Sequence, residues 1–294
     1  MLLAIAVLFW AGNWVIARAL RFDAPPVALA FWRWFIALVI LSPLAYAEVR
    51  RHWRVVLRSW RVLCLLALMA IVLNHIPVYI GLRATTAING ALLNSVTPIV
   101  IFILSRVLVG ERVAAMQVLG VAISLCGVIA IVARGDVTVF ATLQLNDGDL
   151  WVLLATFAWA VYTVALRWRP AELNPLALLW TISAIGVVAM LPLYGWEMAA
   201  GRTLHVTSTV VAGIVYMGAL ATVVAYVFWD RAVQQVGPNR AGPFMYLMLV
   251  YTPLLAIVFL DERIYLYHFV GCTLILGGIY LTARGHRGSA RYTS

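Results

Sequence analysis

Apolar residues fill this chain in long runs, and polar residues break the runs at short intervals. A run of about 18 apolar residues or more can cross a bilayer as a helix, because its backbone N–H and C=O groups are bonded within the segment. The alternating pattern of a membrane-barrel strand is absent. Apolar length, with the charges and prolines that punctuate it, predicts ten spans. They lie near residues 2–20, 26–47, 61–81, 85–106, 112–133, 149–167, 174–195, 208–230, 238–260 and 264–283. The pattern also repeats. Phe9-Trp10-Ala11-Gly12-Asn13-Trp14-Val15 has an echo in Ala158-Trp159-Ala160-Val161-Tyr162-Thr163-Val164. Glu111-Arg112-Val113 returns as Glu262-Arg263-Ile264, and Gly120 and Gly127 as Gly271 and Gly278, at an offset of about 150 residues.

The expected fold is an all-α polytopic membrane protein, with ten transmembrane helices arranged as two five-helix repeats. The repeats cover residues 1–133 and 149–283, with a linker at 134–148 and a tail at 284–294. Five is odd, so the second half enters the membrane from the opposite face. Inverted repeats are the architecture of many carriers, with the site where the halves meet. Ala17-Arg18-Ala19 imitates a signal-peptide cleavage site, but no basic stretch precedes it, and the first segment is expected to stay as a helix.

Composition sharpens this picture. The chain is 65% hydrophobic and 11% charged, with a mean hydropathy of +0.99. The net charge of +10 does not point to nucleic acid. There is no lysine, and nearly all the arginines sit in short connections. Arg50, Arg51, Arg54, Arg58, Arg61, Arg106, Arg112, Arg167, Arg169, Arg231, Arg240 and the tail arginines fall on one side of the predicted topology. Basic residues mark the cytoplasmic side, so both termini are expected there. Around Glu48–Arg61, arginines on one helical face oppose Trp53, Val56, Leu57 and Trp60, the signature of an interfacial anchor. Arg33 alone is left inside a span.

Chemistry at membrane depth is sparse. Cys64, Cys126 and Cys272 are scattered in apolar segments, with no disulfide or metal spacing. No zinc-protease, nucleophile-elbow or phosphate-loop motif occurs. Glu48, Glu111, Glu172, Asp230, Asp261 and Glu262 fall at predicted span ends. The chain is therefore expected to be no enzyme, with no cofactor and no metal. What does lie at depth is aromatic and neutral-polar. Trp10, Asn13 and Trp14 share a helical face, and Trp159, Tyr162 and Thr163 repeat that spacing. His75 and Tyr79 are one turn apart, beside Asn74. Asn94 and Thr97 share a face next to Pro98, Thr222, Tyr226 and Trp229 form a stripe, and Tyr246 and Tyr251 flank Thr252-Pro253. The candidate substrate-binding set is Trp10, Asn13, Trp14, His75, Tyr79, Asn94, Trp159, Tyr162, Tyr226 and Tyr246. Interfacial belts and interhelical bonding are alternative roles for the aromatics and the asparagines. His75 is the one mid-span histidine, and an ionisable group there faces the interior or a water cavity. Pro77, Pro98 and Pro253 are expected to break the ladders of their helices.

These segments resemble the drug/metabolite transporter superfamily in its EamA-type branch, and within it the YddG-type exporters of amino acids. The marks are the doubled Trp-Ala segment, Leu82-Arg83-Ala84-Thr85-Thr86-Ala87, and the acidic-Glu/Arg motifs Gly110-Glu111-Arg112 and Asp261-Glu262-Arg263. The resemblance implies a basket in which spans 1, 3, 4, 6, 8 and 9 surround a cavity while 2, 5, 7 and 10 lie outside. It also implies export of small metabolites, chiefly aromatic or neutral amino acids, across a bacterial inner membrane. Pro253 stands one helical turn closer to Glu262 than Pro98 does to Glu111, so the two prolines are not equivalent. A nucleotide-sugar or sugar-phosphate carrier is the alternative within the superfamily, and a non-transporting receptor or scaffold the alternative outside it. With no carboxylate expected at depth, a facilitator in which His75 only hydrogen-bonds is preferred to a proton-coupled carrier.

Overall fold

A computed structural model of the chain describes residues 1–84, 93–110, 113–133, 146–260 and 266–284. Every regular element among them is helical. Six helices are long and apolar enough to cross a membrane: α1 (Leu2–Ala19), α2 (Pro26–Arg51), α4 (Trp60–Ala84), α7 (Asp147–Trp168), α8 (Pro175–Ala199) and α9 (Ser208–Val236). The short α3 (Trp53–Arg58) follows α2. The remaining helices are α5 (Thr97–Val109), α6 (Ala115–Ala133), α10 (Pro238–Ala241), α11 (Met248–Leu260) and α12 (Leu266–Arg284), and a 3-10 segment, Gly242–Leu247, joins α10 to α11. The Glu111-Arg112 and Asp261-Glu262-Arg263 motifs, Thr85-Thr86-Ala87, most of the linker and the tail beyond Arg284 lie outside the described residues.

Helix starts follow local chemistry. Asn146 and Asp149 form a reciprocal capping box at α7, with hydrogen bonds of 3.1 and 2.9 Å. Asn174 caps α8 and Thr207 caps α9. α2 is capped from another helix. Pro26 occupies its first turn, and the Glu197 carboxylate of α8 accepts from Ala28 N–H at 2.7 Å and Val27 N–H at 3.2 Å.

Three expectations change. Pro98 stands in the first turn of α5, where its missing N–H has no intrahelical partner to lose, so it opens a helix and does not kink one. The anchor around 48–61 is cut at His52 and Ser59. Trp53, Leu57 and Trp60 nevertheless stay exposed beside their arginines. Asp230 is not at a helix end, because α9 continues to Val236.

The small residues of α6 and α12 form a close seam. Ser124 donates to the Ile275 carbonyl at 3.2 Å, and a Cβ on Gly127 would sit 2.6 Å from the Gly271 carbonyl. Trp32 donates to Tyr194 at 3.1 Å and Trp180 to Ser42 at 3.0 Å, which stitches α2 to α8.

Candidate functional site

Two helices depart from regular winding. α4 contains a π-segment at Leu68–Val72, and α9 contains one at Ala219–Val224. Such a segment frees carbonyls from the helical ladder, and single-turn π-bulges gather at functional sites. The Ala70 carbonyl accepts from the Tyr226 hydroxyl at 3.2 Å. The Ala221 carbonyl accepts from Trp10 Nε1 at 2.9 Å and from the Arg33 guanidinium at 3.1 Å. Each π-segment thus turns a backbone oxygen toward an aromatic or cationic group of another helix.

Around these carbonyls stands a cluster of rings. Trp10 meets Trp159 edge-on at 4.9 Å and Tyr226 at 5.7 Å, and lies tilted against Trp229 at 5.2 Å. Trp159 also meets Tyr226 edge-on at 5.5 Å. Edge-to-face pairs of this kind add about 0.5–1.5 kcal/mol each beyond area burial. The two echoing segments of the sequence, one around Trp10 and one around Trp159, therefore touch in the interior.

Against the cluster lies a cavity of about 50 Å³. Its aromatic wall is Trp10, Trp14, Trp159 and Tyr226, its polar wall is Asn13, Arg33, Asn74, His75, Asn94 and Thr156, and Val78, Val152, Met245 and Met248 close it.

Seven of the ten candidate residues line this cavity: Trp10, Asn13, Trp14, His75, Asn94, Trp159 and Tyr226. Tyr79 stands behind it, with its hydroxyl on Arg33. Tyr162 and Tyr246 are fully buried off the cavity, Tyr162 donating to Asp230 and Tyr246 with no hydroxyl partner among the described residues. His75 Nδ1 accepts from Trp34 Nε1 at 3.4 Å, while Asn74 turns to the Ala155 carbonyl.

Sequence reasoning passed over two charges. Arg33 is fully buried and lines the cavity. It donates through Nε to Thr222 at 2.7 Å, and through one terminal nitrogen to Asn13 Oδ1 at 3.1 Å and Tyr79 at 2.9 Å. All its acceptors are neutral. α2, expected outside the cavity, thus contributes its cation; the signal was the lone arginine inside a span. Asp230 is the second. It is fully buried, accepts from Tyr162 at 2.6 Å, and has one oxygen with no partner among the described residues. Asp230 is therefore a buried carboxylate inside α9, and not the span-end acid expected.

The EamA-like transporter family model matches residues 1–133 and 146–284. The chain belongs to the EamA-like transporter family. As an EamA-like chain it is a polytopic membrane protein, in keeping with the six long apolar helices among the described residues. It is 28% identical over 295 residues to an uncharacterized transporter of Archaeoglobus fulgidus, covering 98% of each chain. The uncharacterized transporter YetK of Bacillus subtilis is 26% identical, over 92% of this chain and 82% of its own. A protein of Streptantibioticus cattleyicolor named a probable terminal-alkyne amino-acid exporter is 27% identical, over 70% of this chain and 67% of its own. One crystal structure superposes with a TM-score of 0.76 at 18% identity, over 95% of this EamA-like chain and 94% of that one, a likeness of fold alone.

Proposed function

We propose that this EamA-like protein is a secondary transporter that exports amino acids and related small metabolites across a bacterial inner membrane by alternating access. The observation that carries the reading is the contact of Trp10 with Trp159 over a small polar cavity. Segments from both matched stretches converge there. In this reading the stretches are inverted five-helix repeats, ten spans in all with both termini cytoplasmic, and the cluster is the barrier that opens to either side. An aromatic wall suits apolar side chains and holds an ammonium by cation–π attraction. The amino-acid exporter among the relatives supports the substrate class. A sugar-phosphate carrier is less well supported, since a dianionic phosphate calls for more than the single arginine in the cavity wall.

The test is flux. Purified full-length protein in liposomes, loaded with a panel of radiolabelled neutral and aromatic amino acids, is expected to release at least one of them well above protein-free liposomes. Release indistinguishable from protein-free liposomes across the panel would make the protein a receptor or scaffold.

A further inference from the structure

Arg33 sets a condition on what the cavity can hold. An arginine is always charged in proteins, and a buried charge is tolerated when it is paired or heavily hydrogen-bonded. Arg33 is fully buried and makes four hydrogen bonds, to a hydroxyl, a phenol, an amide oxygen and a peptide carbonyl. These solvate the guanidinium without neutralising it. It forms no ion pair among the described residues. No aspartate or glutamate lines the cavity among the described residues. Trp159 also lines this wall, and its Nε1 is buried with no partner among the described residues.

From these we infer that the cavity recognises a monocarboxylate, with Arg33 as its counter-ion and Trp159 N–H as a supporting donor, and that a substrate's ammonium group is dispensable. This deepens the transport reading and rests on it. The charge balance decides the class. A monocarboxylate brings the site to neutrality. A zwitterion's carboxylate offsets Arg33 in the same way while its ammonium rests on the aromatic wall, and a lone amine adds a second cation with no carboxylate beside it. Asn13 Oδ1 and Tyr79 hold the guanidinium until the carboxylate replaces one of them, since both accept from the same nitrogen and lie 3.4 Å from each other.

Three probes with one aromatic body separate the handles: 3-phenylpropanoate, 3-phenylpropanamide and 2-phenylethylamine, titrated calorimetrically into purified full-length protein. The carboxylate is expected to bind, the amide about ten- to a hundred-fold more weakly, and the amine more weakly still. Arg33→Gln should erase the preference for acid over amide. Because Arg33→Gln removes a buried cluster and can fail to fold, Asn13→Asp is the second variant. It places a carboxylate where Asn13 Oδ1 stands, 3.1 Å from the guanidinium. It should keep or raise the unfolding temperature while weakening 3-phenylpropanoate at least about ten-fold. Equal affinity for acid and amide, no binding of the acid, or undiminished acid binding in Asn13→Asp would each overturn the inference. Any of these with amino-acid flux present leaves the transport reading standing. Acid-selective binding without flux of any amino acid would leave the anion site and remove the transporter.

Discussion

Removing the Glu197 side chain should loosen the end of α2 that positions Arg33. Its two oxygens accept from the Ala28 and Val27 N–H groups at 2.7 and 3.2 Å, and the side chain is buried. A hydrogen bond to a charged group contributes about 1.5–3 kcal/mol. A carboxylate at a helix N-terminus adds about 0.3–1 kcal/mol through the macrodipole. Glu197→Ala strips both bonds and leaves two N–H donors of a tightly packed first turn to find other partners, so a cost of about 3–5 kcal/mol is expected. Glu197→Gln keeps one acceptor oxygen but turns an NH2 toward the second donor, so about half of that should be lost. At roughly 2–4 °C per kcal/mol for a domain of about 150–250 residues, the alanine variant should unfold on the order of 10 °C earlier, with glutamine between it and the parent. The assay is the apparent unfolding temperature of purified full-length protein in detergent, followed by tryptophan fluorescence. An alanine variant within about 2 °C of the parent would refute the reasoning that α8 caps α2. So would glutamine no better than alanine.

Trp159→Phe keeps most of the ring packing and deletes the unpartnered N–H, so flux should fall several-fold with an unfolding temperature close to the parent's. Equal loss of both would make Trp159 a packing residue only. His75 is satisfied as an acceptor from Trp34, so His75→Gln should leave any response of flux to an imposed pH gradient unchanged. Loss of that response would assign a coupling proton to His75. For topology, Arg54→Cys and Asp147→Cys, in a background without the three native cysteines, should react with an impermeant thiol reagent from opposite faces of the membrane. Reaction from the same face would exclude the inverted repeat.

The aromatic half of the site was legible because it is written locally. Trp10, Asn13 and Trp14 share a face by helical spacing, the same spacing recurs at Trp159, and a repeated polar-aromatic stripe inside an apolar span has few reasons to exist. The electrostatic half was not local. The partners of Arg33 are separated from it by 20, 46 and 189 residues, so no window of sequence displays them together. The π-segments that free the Ala70 and Ala221 carbonyls have no compositional signature. Leu68–Val72 and Ala219–Val224 read as ordinary apolar helix. Asp230 was misplaced for a simpler reason. The apolar run stops there and Arg231 follows, yet the helix continues through Gln234 and Gln235 to Val236. Hydropathy marks where the apolar residues end, and here the helix extends past that point with Arg231, Gln234 and Gln235 exposed. Tyr246 shows the reverse error: it lies in the 3-10 segment, and it is Met245 and Met248 that reach the cavity wall.

Two of the buried charges, Arg33 and Asp230, are kept apart by the architecture. Thr222, which accepts from Arg33, and Asp230 lie on the same helix about two turns apart, roughly 12 Å along its axis. Tyr226 and Trp229 stand on α9 between those levels, packed on Trp10 and Trp159. A direct Arg33–Asp230 pair would be neutral and, once buried, costly to break, at about 3–5 kcal/mol for removing one partner. Such a pair would lock the bundle and leave the cavity without a free charge. A continuous helix and a wall of rings prevent the pair from forming. The guanidinium is instead held by neutral oxygens, each of which a ligand carboxylate can replace at far smaller cost than an ion pair. A rigid helix thus preserves an exchangeable charge in the cavity, which is what the monocarboxylate inference requires of the fold.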